Sequence, residues 1–216
     1  MRKKTAGLVL AVTGAVLIAS ALLLFLHNRL EDRRAGELAQ AVLEEMRQLE
    51  TGGGDAAQPT DARPAPTSPP EETQPPEMPT VQIDGYDYIG TLSVPALELE
   101  LPVMAEWDYE RLRIAPCREL GSTRTDDLVI AAHNYDSHFG RLHTLSAGDT
   151  VLFTDPEGNR ISYVVVEVWT AAPDAVEAVQ NSGHALTLYT CTPGGATRVV
   201  VFCDRAPADE KSAPKK

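Results

Sequence analysis

The chain has 216 residues, of which 31 are acidic and 19 basic, for a formal net charge of -12. A balance this acidic lacks the cationic footprint that general nucleic-acid binding requires. A hydrophobic content of 43% excludes a wholly disordered chain, and three cysteines, an odd number, exclude a small domain stapled by disulfides alone.

In chain order, the first expected element is a membrane anchor. Thr5 to Leu26 is a run of 22 residues without a formal charge, preceded directly by Arg2, Lys3 and Lys4. A helix of about 20 apolar residues spans the hydrocarbon core of a bilayer. The basic cluster predicts that the amino terminus stays in the cytoplasm and the rest of the chain lies outside, a single-pass protein of the cell membrane. Ala19-Ser20-Ala21 resembles a signal-peptidase site, but the apolar run continues through Leu22 to Leu26, which favours an uncleaved signal anchor over residues 1–29.

Residues 30–50 predict a juxtamembrane helix. Leu30, Leu38, Val42, Met46 and Leu49 form a stripe, read as the weak apolar side of a solvated stalk, and Gly52-Gly53-Gly54 ends it. Residues 51–80 hold eight of the sixteen prolines among Thr, Ser, Gln and Glu, which predicts a disordered, semi-stiff spacer holding a domain away from the membrane.

Residues 81–206 form the predicted globular domain, and 207–216 a flexible tail. This domain carries 18 acidic residues, eight arginines and no lysine. Its pattern is mainly β. Short strands are expected at 88–94, 97–103, 150–153, 160–168, 185–191 and 198–202. The turn signals between them are Pro95, Asp155-Pro156-Glu157-Gly158-Asn159 and Pro193-Gly194-Gly195. Asp127 to His133 is a short apolar run ending in a polar cluster. Helix is expected only at 108–114 and 175–180. Many short strands with regular turns predict a small closed barrel or a sandwich.

The candidate chemistry centres on Leu186-Thr187-Leu188-Tyr189-Thr190-Cys191. Strand side chains alternate, so Leu186 and Leu188 share a core face, and Thr187, Tyr189 and Cys191 share the opposite, more polar one. Cys191 therefore ends a strand beside a Gly-rich loop, and Arg198 opens the next strand. A hairpin would set the two side by side. A thiol becomes a useful nucleophile beside a basic or cationic group. An arginine there can also stabilise an oxyanion. Histidines at 133, 138, 143 and 184 are candidate bases. Their spacings do not match a paired-ligand zinc site.

At these residues the chain resembles the sortase family of cysteine transpeptidases. The carrying segments are Thr187-Leu188-Tyr189-Thr190-Cys191, similar to the family's TLxTC motif, with Arg198-Val199-Val200-Val201 seven residues on, and the upstream Val129-Ile130-Ala131-Ala132-His133-Asn134. A weaker similarity extends over residues 88–204. The resemblance implies a mainly β fold, a closed sortase-like barrel of about eight strands with a few short helices, preceded by a transmembrane helix and a stalk. It implies Cys191 as nucleophile, His133 as general acid/base and Arg198 as stabiliser of the oxyanion and the substrate backbone. Thr190 is implied as a further contact to substrate. His138 and His143 are rival bases by composition, but the motif favours His133. The implied reaction cleaves an LPxTG-like sorting signal between Thr and Gly through a thioacyl intermediate, with no cofactor and no metal. The implied partners are secreted proteins with a carboxy-terminal sorting signal, and an amino group of a cell-wall precursor or a pilin. Ala132 stands where many family members have glycine. Two other classes fit the same residues: a catalytically inactive wall-associated binding barrel, and a cysteine hydrolase. Cys203 is expected inside the barrel and Cys117 in a loop, with a disulfide between them left open.

Overall fold

The computed structural model describes residues 2–52 and 78–207. The expected Pro-rich spacer lies almost wholly outside the described residues, as does most of the expected tail.

Helix α1 (Arg2–Gly52) is continuous. No proline interrupts it, so every turn can close its backbone hydrogen bonds. One part of it is long and apolar enough to cross a membrane, with a mean hydropathy of 2.7, and that part is not buried against the protein.

The remaining described residues form nine strands: β1 (Val81–Ile83), β2 (Tyr86–Val94), β3 (Leu99–Met104), β4 (Cys117–Leu120), β5 (Leu128–Ala131), β6 (Thr150–Thr154), β7 (Arg160–Ala171), β8 (Leu186–Cys191) and β9 (Arg198–Arg205). A short helix, α2 (Val176–Gln180), lies between β7 and β8. The sheet order is β1-β2-β3-β4-β5-β8-β9-β7-β6, and β6 returns to pair with β2. Strands β2 to β9 thus make a closed eight-stranded barrel, and β1 extends the same edge of β2 that β6 occupies further along. Closure removes the free sheet edges that would otherwise invite pairing with another chain. All pairs are antiparallel except β3–β4 and β5–β8.

Gly90 shows how closely the closing strands approach. Its φ is 142°, and a Cβ there would stand 2.1 Å from the Thr154 carbonyl oxygen. The register of β2 shifts between Tyr88 and Gly90, where β2 bends from β1 toward β6.

The barrel interior is filled by alternating side chains, among them Leu92, Phe153, Tyr163, Leu186, Leu188 and Val201. Cys203 belongs to this cluster, as expected. Cys117 does not lie in a loop: it opens β4, fully buried, in a second cluster with Ile83, Tyr88 and Met104. Both thiols are free, in separate clusters. The 108–114 segment makes only a 3-10 turn at Arg111–Arg113 rather than a helix.

The stalk differs from expectation in a way that matters for function. The lower half of α1 is not solvated but lies on the barrel. Ala35, Ala39, Val42, Leu43 and Met46 are buried there, whereas Leu30, Leu38 and Leu49 are about half exposed. The docked stripe is thus rotated from the one that the leucines suggest. Small residues at 35, 36 and 39 let the helix backbone come close, and a Cβ on Gly36 would stand 3.0 Å from the Ser137 Cβ. Arg47 adds an ion pair to Glu100 on β3 at 2.7 Å, a partly exposed contact of small value.

This packing predicts opposite outcomes for two leucines on one helix. Leu43→Ala, at a site 1% exposed, should destabilise the full-length protein by about 2–5 kcal/mol. Leu38→Ala, at a site 48% exposed, should change stability by less than about 0.5 kcal/mol. Denaturant midpoints in detergent solution measure both.

Candidate active site

Strand β8 is the element on which the site is built. Leu186 and Leu188 pack inward, and Thr190 is also buried, on the same side. Cys191 ends the strand, partly exposed. The outer side of the sheet is less polar than its sequence suggests. Thr187 is buried, and Tyr189 packs beside a cluster of Val129, Val179, Val200 and Phe202 under the β7–β8 connection.

Two neighbours bring the predicted side chains to one rim of the barrel. On one side, β9 pairs antiparallel with β8 and sets Arg198 directly opposite Cys191. On the other, β5 runs parallel with β8 and pairs Ala131 with Tyr189. The Ala132 amide continues the ladder, donating to the Tyr189 carbonyl at 3.2 Å. His133 follows Ala131 by two residues, as Cys191 follows Tyr189.

Thr190 has a role that its sequence position did not suggest. Its hydroxyl donates to the Ala132 carbonyl at 2.8 Å, inside the protein. It therefore braces the end of β5 against the end of β8.

Arg198 is held by the connection that precedes it. One guanidinium nitrogen donates to the carbonyls of Gly195 and Thr197 at 3.0 and 3.1 Å. The connection itself is closed by Thr192 and Thr197, whose hydroxyls lie 3.0 Å apart and whose main chains bond at the same distance.

The four histidines of the domain fall in different environments. His133 is half-buried, and burial, with the nearby Arg113 charge, holds its pKa below the ordinary imidazole value. Its ring lies 5.0 Å from that of Tyr135, which in turn lies 5.6 Å from that of His138. His138 is fully buried. Burial lowers its pKa to about 4, so it is neutral at physiological pH and shut away from any substrate. The main chain of Ala35 in α1 is within reach of the ring but closes no well-formed hydrogen bond with it. His143 is exposed, with Nδ1 3.0 Å from the Gly140 carbonyl. His184 pairs with Asp204 at 2.9 Å. Of these, His133 is the one that follows directly on the end of β5, the strand that pairs with β8. Among the described residues, no group of three or more His, Cys, Asp or Glu is gathered to hold a metal ion.

A groove of about 200 Å³ opens beside Arg198, lined by Trp107, Tyr109, Glu119, Val176 and Tyr189 among others. Trp107 and Tyr109 pack edge to face at 5.0 Å, and Tyr109 is 72% exposed. Gln180, at the end of α2, donates to Glu119 at 2.8 Å and ties the β7–β8 connection to β4. Burial and the Glu119 carboxylate hold the Tyr189 phenol well above its ordinary pKa. None of these groove residues was singled out from sequence as a site residue. The one signal for them was an aromatic pair, Trp107 and Tyr109, in a polar segment without alternation.

A family model described as the Sortase domain matches residues 92–206, just over half of the chain. A Sortase A of Bacillus anthracis is 30% identical over 121 residues, which cover 53% of this chain and 57% of the relative. The chain thus spans little more than half the length of that curated relative. Similar solved structures include sortase C1 of Streptococcus agalactiae, at 26% identity and a TM-score of 0.49, covering 57% of this chain and 70% of that one. Sortase A of Corynebacterium diphtheriae, at 22% identity and a TM-score of 0.48, covers 58% and 64%. The matched segment spans β8, the end of β5 and β9 together, and the chain belongs to the sortase family.

Proposed function

We propose that the protein is a membrane-anchored cysteine transpeptidase in which Cys191 is the nucleophile, His133 the general acid/base and Arg198 the stabiliser of the oxyanion. The observation that supports this reading is the strand register: β9 pairs Arg198 with Cys191, and the β5–β8 ladder ends at Ala131–Tyr189, two residues before His133 and Cys191. A thiol flanked by an imidazole and a guanidinium is suited to acyl transfer.

The substrate is a secreted protein with an LPxTG-like signal. The Cys191 sulfur attacks the carbonyl carbon of the signal's threonine, and negative charge develops on the oxygen. Arg198 faces that charge. Its guanidinium is already fixed by the Gly195 and Thr197 carbonyls, so little reorganisation is needed as the charge appears. The C–N bond to glycine then breaks, and the leaving amine takes a proton from His133. A thioester to Cys191 remains. An amine from a cell-wall precursor or a pilin attacks it and gives its proton to His133. The thiolate leaves, and a new amide bond has replaced the old one. The apolar and aromatic wall of the groove, with Trp107, Tyr109 and Val176, suits the apolar residues that precede the scissile bond.

The apolar segment of α1 holds this chemistry at the cell membrane, with the amino terminus inside and the barrel outside. The basic residues at 2–4 support that orientation.

Full-length protein in detergent, incubated with a panel of threonine–glycine peptides and an added amine, tests the reading through its products. The expected product is the new amide. Free acid alone in the presence of amine would make the protein a hydrolase, and no cleavage of any peptide would favour a binding barrel. Cys191→Ala should abolish turnover with the fold intact. Arg198→Ala should raise the barrier by about 3 kcal/mol. His133→Ala should slow turnover by about 10²- to 10⁴-fold, whereas His143→Ala should leave it near wild type; the reverse order would overturn the choice of base.

A further inference from the structure

The loop after β5 runs from Ala132 to Phe139 before it reaches Gly140, and it is folded tightly on itself. Phe139 donates its amide to the His133 carbonyl at 3.1 Å, and the amides of His138 and Gly140 both reach the Tyr135 carbonyl, at 3.0 and 2.8 Å. Outside contacts to this loop come from helix α1. Asp32 accepts from the Ser137 amide at 2.9 Å and from the Ser137 hydroxyl at 2.6 Å, and the same hydroxyl lies 2.9 Å from the Asp32 carbonyl. One turn along, Gly36 clears the space that Ser137 occupies. Ala35 backs the buried His138. The rings of His138, Tyr135 and His133 then follow in sequence toward the rim.

We propose that Asp32 is a positioning residue: through Ser137 it clasps the loop that carries His133 and so couples docking of the membrane helix to the geometry of the catalytic pair. This rests on the reading of His133 and Cys191 given above. Asp32 touches neither substrate nor the reacting atoms. Its effect is transmitted by a compact loop with few internal degrees of freedom. A pair of charge-assisted hydrogen bonds from one serine is stronger than a neutral pair and is partly shielded from water. Loss of the clasp frees the loop to shift, and catalytic groups tolerate little displacement. The groups that face His133 are Arg113 from the turn after β3, and Tyr135 and His138 from its own loop. From α1, Glu31 and Asp32 face Tyr135.

Two readouts on the full-length protein test this, and only the first needs a substrate. With a threonine–glycine peptide and an added amine, Asp32→Ala should lower kcat by about ten- to a hundred-fold with KM nearly unchanged. Asp32→Asn, which keeps the accepting oxygen, should recover most of that loss. Ser137→Ala, which leaves the main-chain bond in place, should fall between, and the Asp32→Ala/Ser137→Ala double variant should be no slower than Asp32→Ala alone. The second readout is the pH profile of Cys191 alkylation by iodoacetamide. Cys117 and Cys203 are fully buried and do not compete. The Asp32→Ala profile should move toward that of His133→Ala, and the Asp32→Asn profile should stay with wild type. An Asp32→Ala profile equal to wild type, or Asp32→Asn behaving as Asp32→Ala, would overturn the positioning role while leaving the catalytic pair standing. A wild-type profile equal to that of His133→Ala would overturn both.

Discussion

Everything at the rim depends on strand register. Strand β8 sits between a parallel neighbour and an antiparallel one, which meet its end at Ala131–Tyr189 and at Arg198–Cys191. Side chains alternate along a strand, so a slip of one residue on either side would turn a partner to the wrong face. The slip is resisted from inside the barrel. Leu186, Leu188 and Val201 are buried in the common core, and shifting β8 by one place would turn its two leucines out of that core. Burying one such side chain is worth about 1.5–3 kcal/mol. The hydroxyl of Thr190 adds a further lock, since it meets the Ala132 carbonyl only in the observed register.

The groove follows from what covers the outer side of the same strands. Val129, Val200 and Phe202 form an apolar patch there, and the β7–β8 connection folds α2 over it through Val179. Part of the sheet is thus buried on both sides, which explains why Thr187 is enclosed although it does not face the barrel core. The cover stops short of Cys191 and Arg198, and the groove opens at that boundary. Its position is set by the length of the connection and by the Gln180–Glu119 bond.

The strands that bear the chemistry were legible because they alternate strongly. Residues 186–191 and 198–205 fold as hairpin partners, which places Cys191 and Arg198 as their spacing implied. The choice of a closed barrel over a sandwich was not legible from spacing and came from the family resemblance, and the parallel β5–β8 pairing was not legible at all, because it joins segments about 58 residues apart. Strand β4 was missed: it has four residues, follows Pro116, and carries Arg118 and Glu119 in its middle. The aromatic wall of the groove was missed because Trp107 and Tyr109 sit outside regular structure. The docked face of α1 was misread for a different reason. The helix was read as a solvated stalk because its apolar stripe is thin, but close helix docking selects small residues, and Ala35, Gly36 and Ala39 carry no hydropathic signal that separates them from solvent-facing positions.

That docked face also revises the place of the Pro-rich segment. It follows Gly52 in the chain, after α1 has already met the barrel, so it is not what separates the barrel from the anchor. With Thr5 to Leu26 in the bilayer as proposed, only six helical steps lead from Leu26 to Asp32, about 9 Å along the helix axis. A helix holds that distance as a spacer of disordered chain cannot, since the latter explores a wide range of lengths. The loop that follows His133 is therefore kept close to the membrane surface at a set height and orientation. The same rigid element that sets the height ends in the clasp on Ser137, so the anchoring of the chain and the geometry of its imidazole are consequences of one helix packing against one barrel.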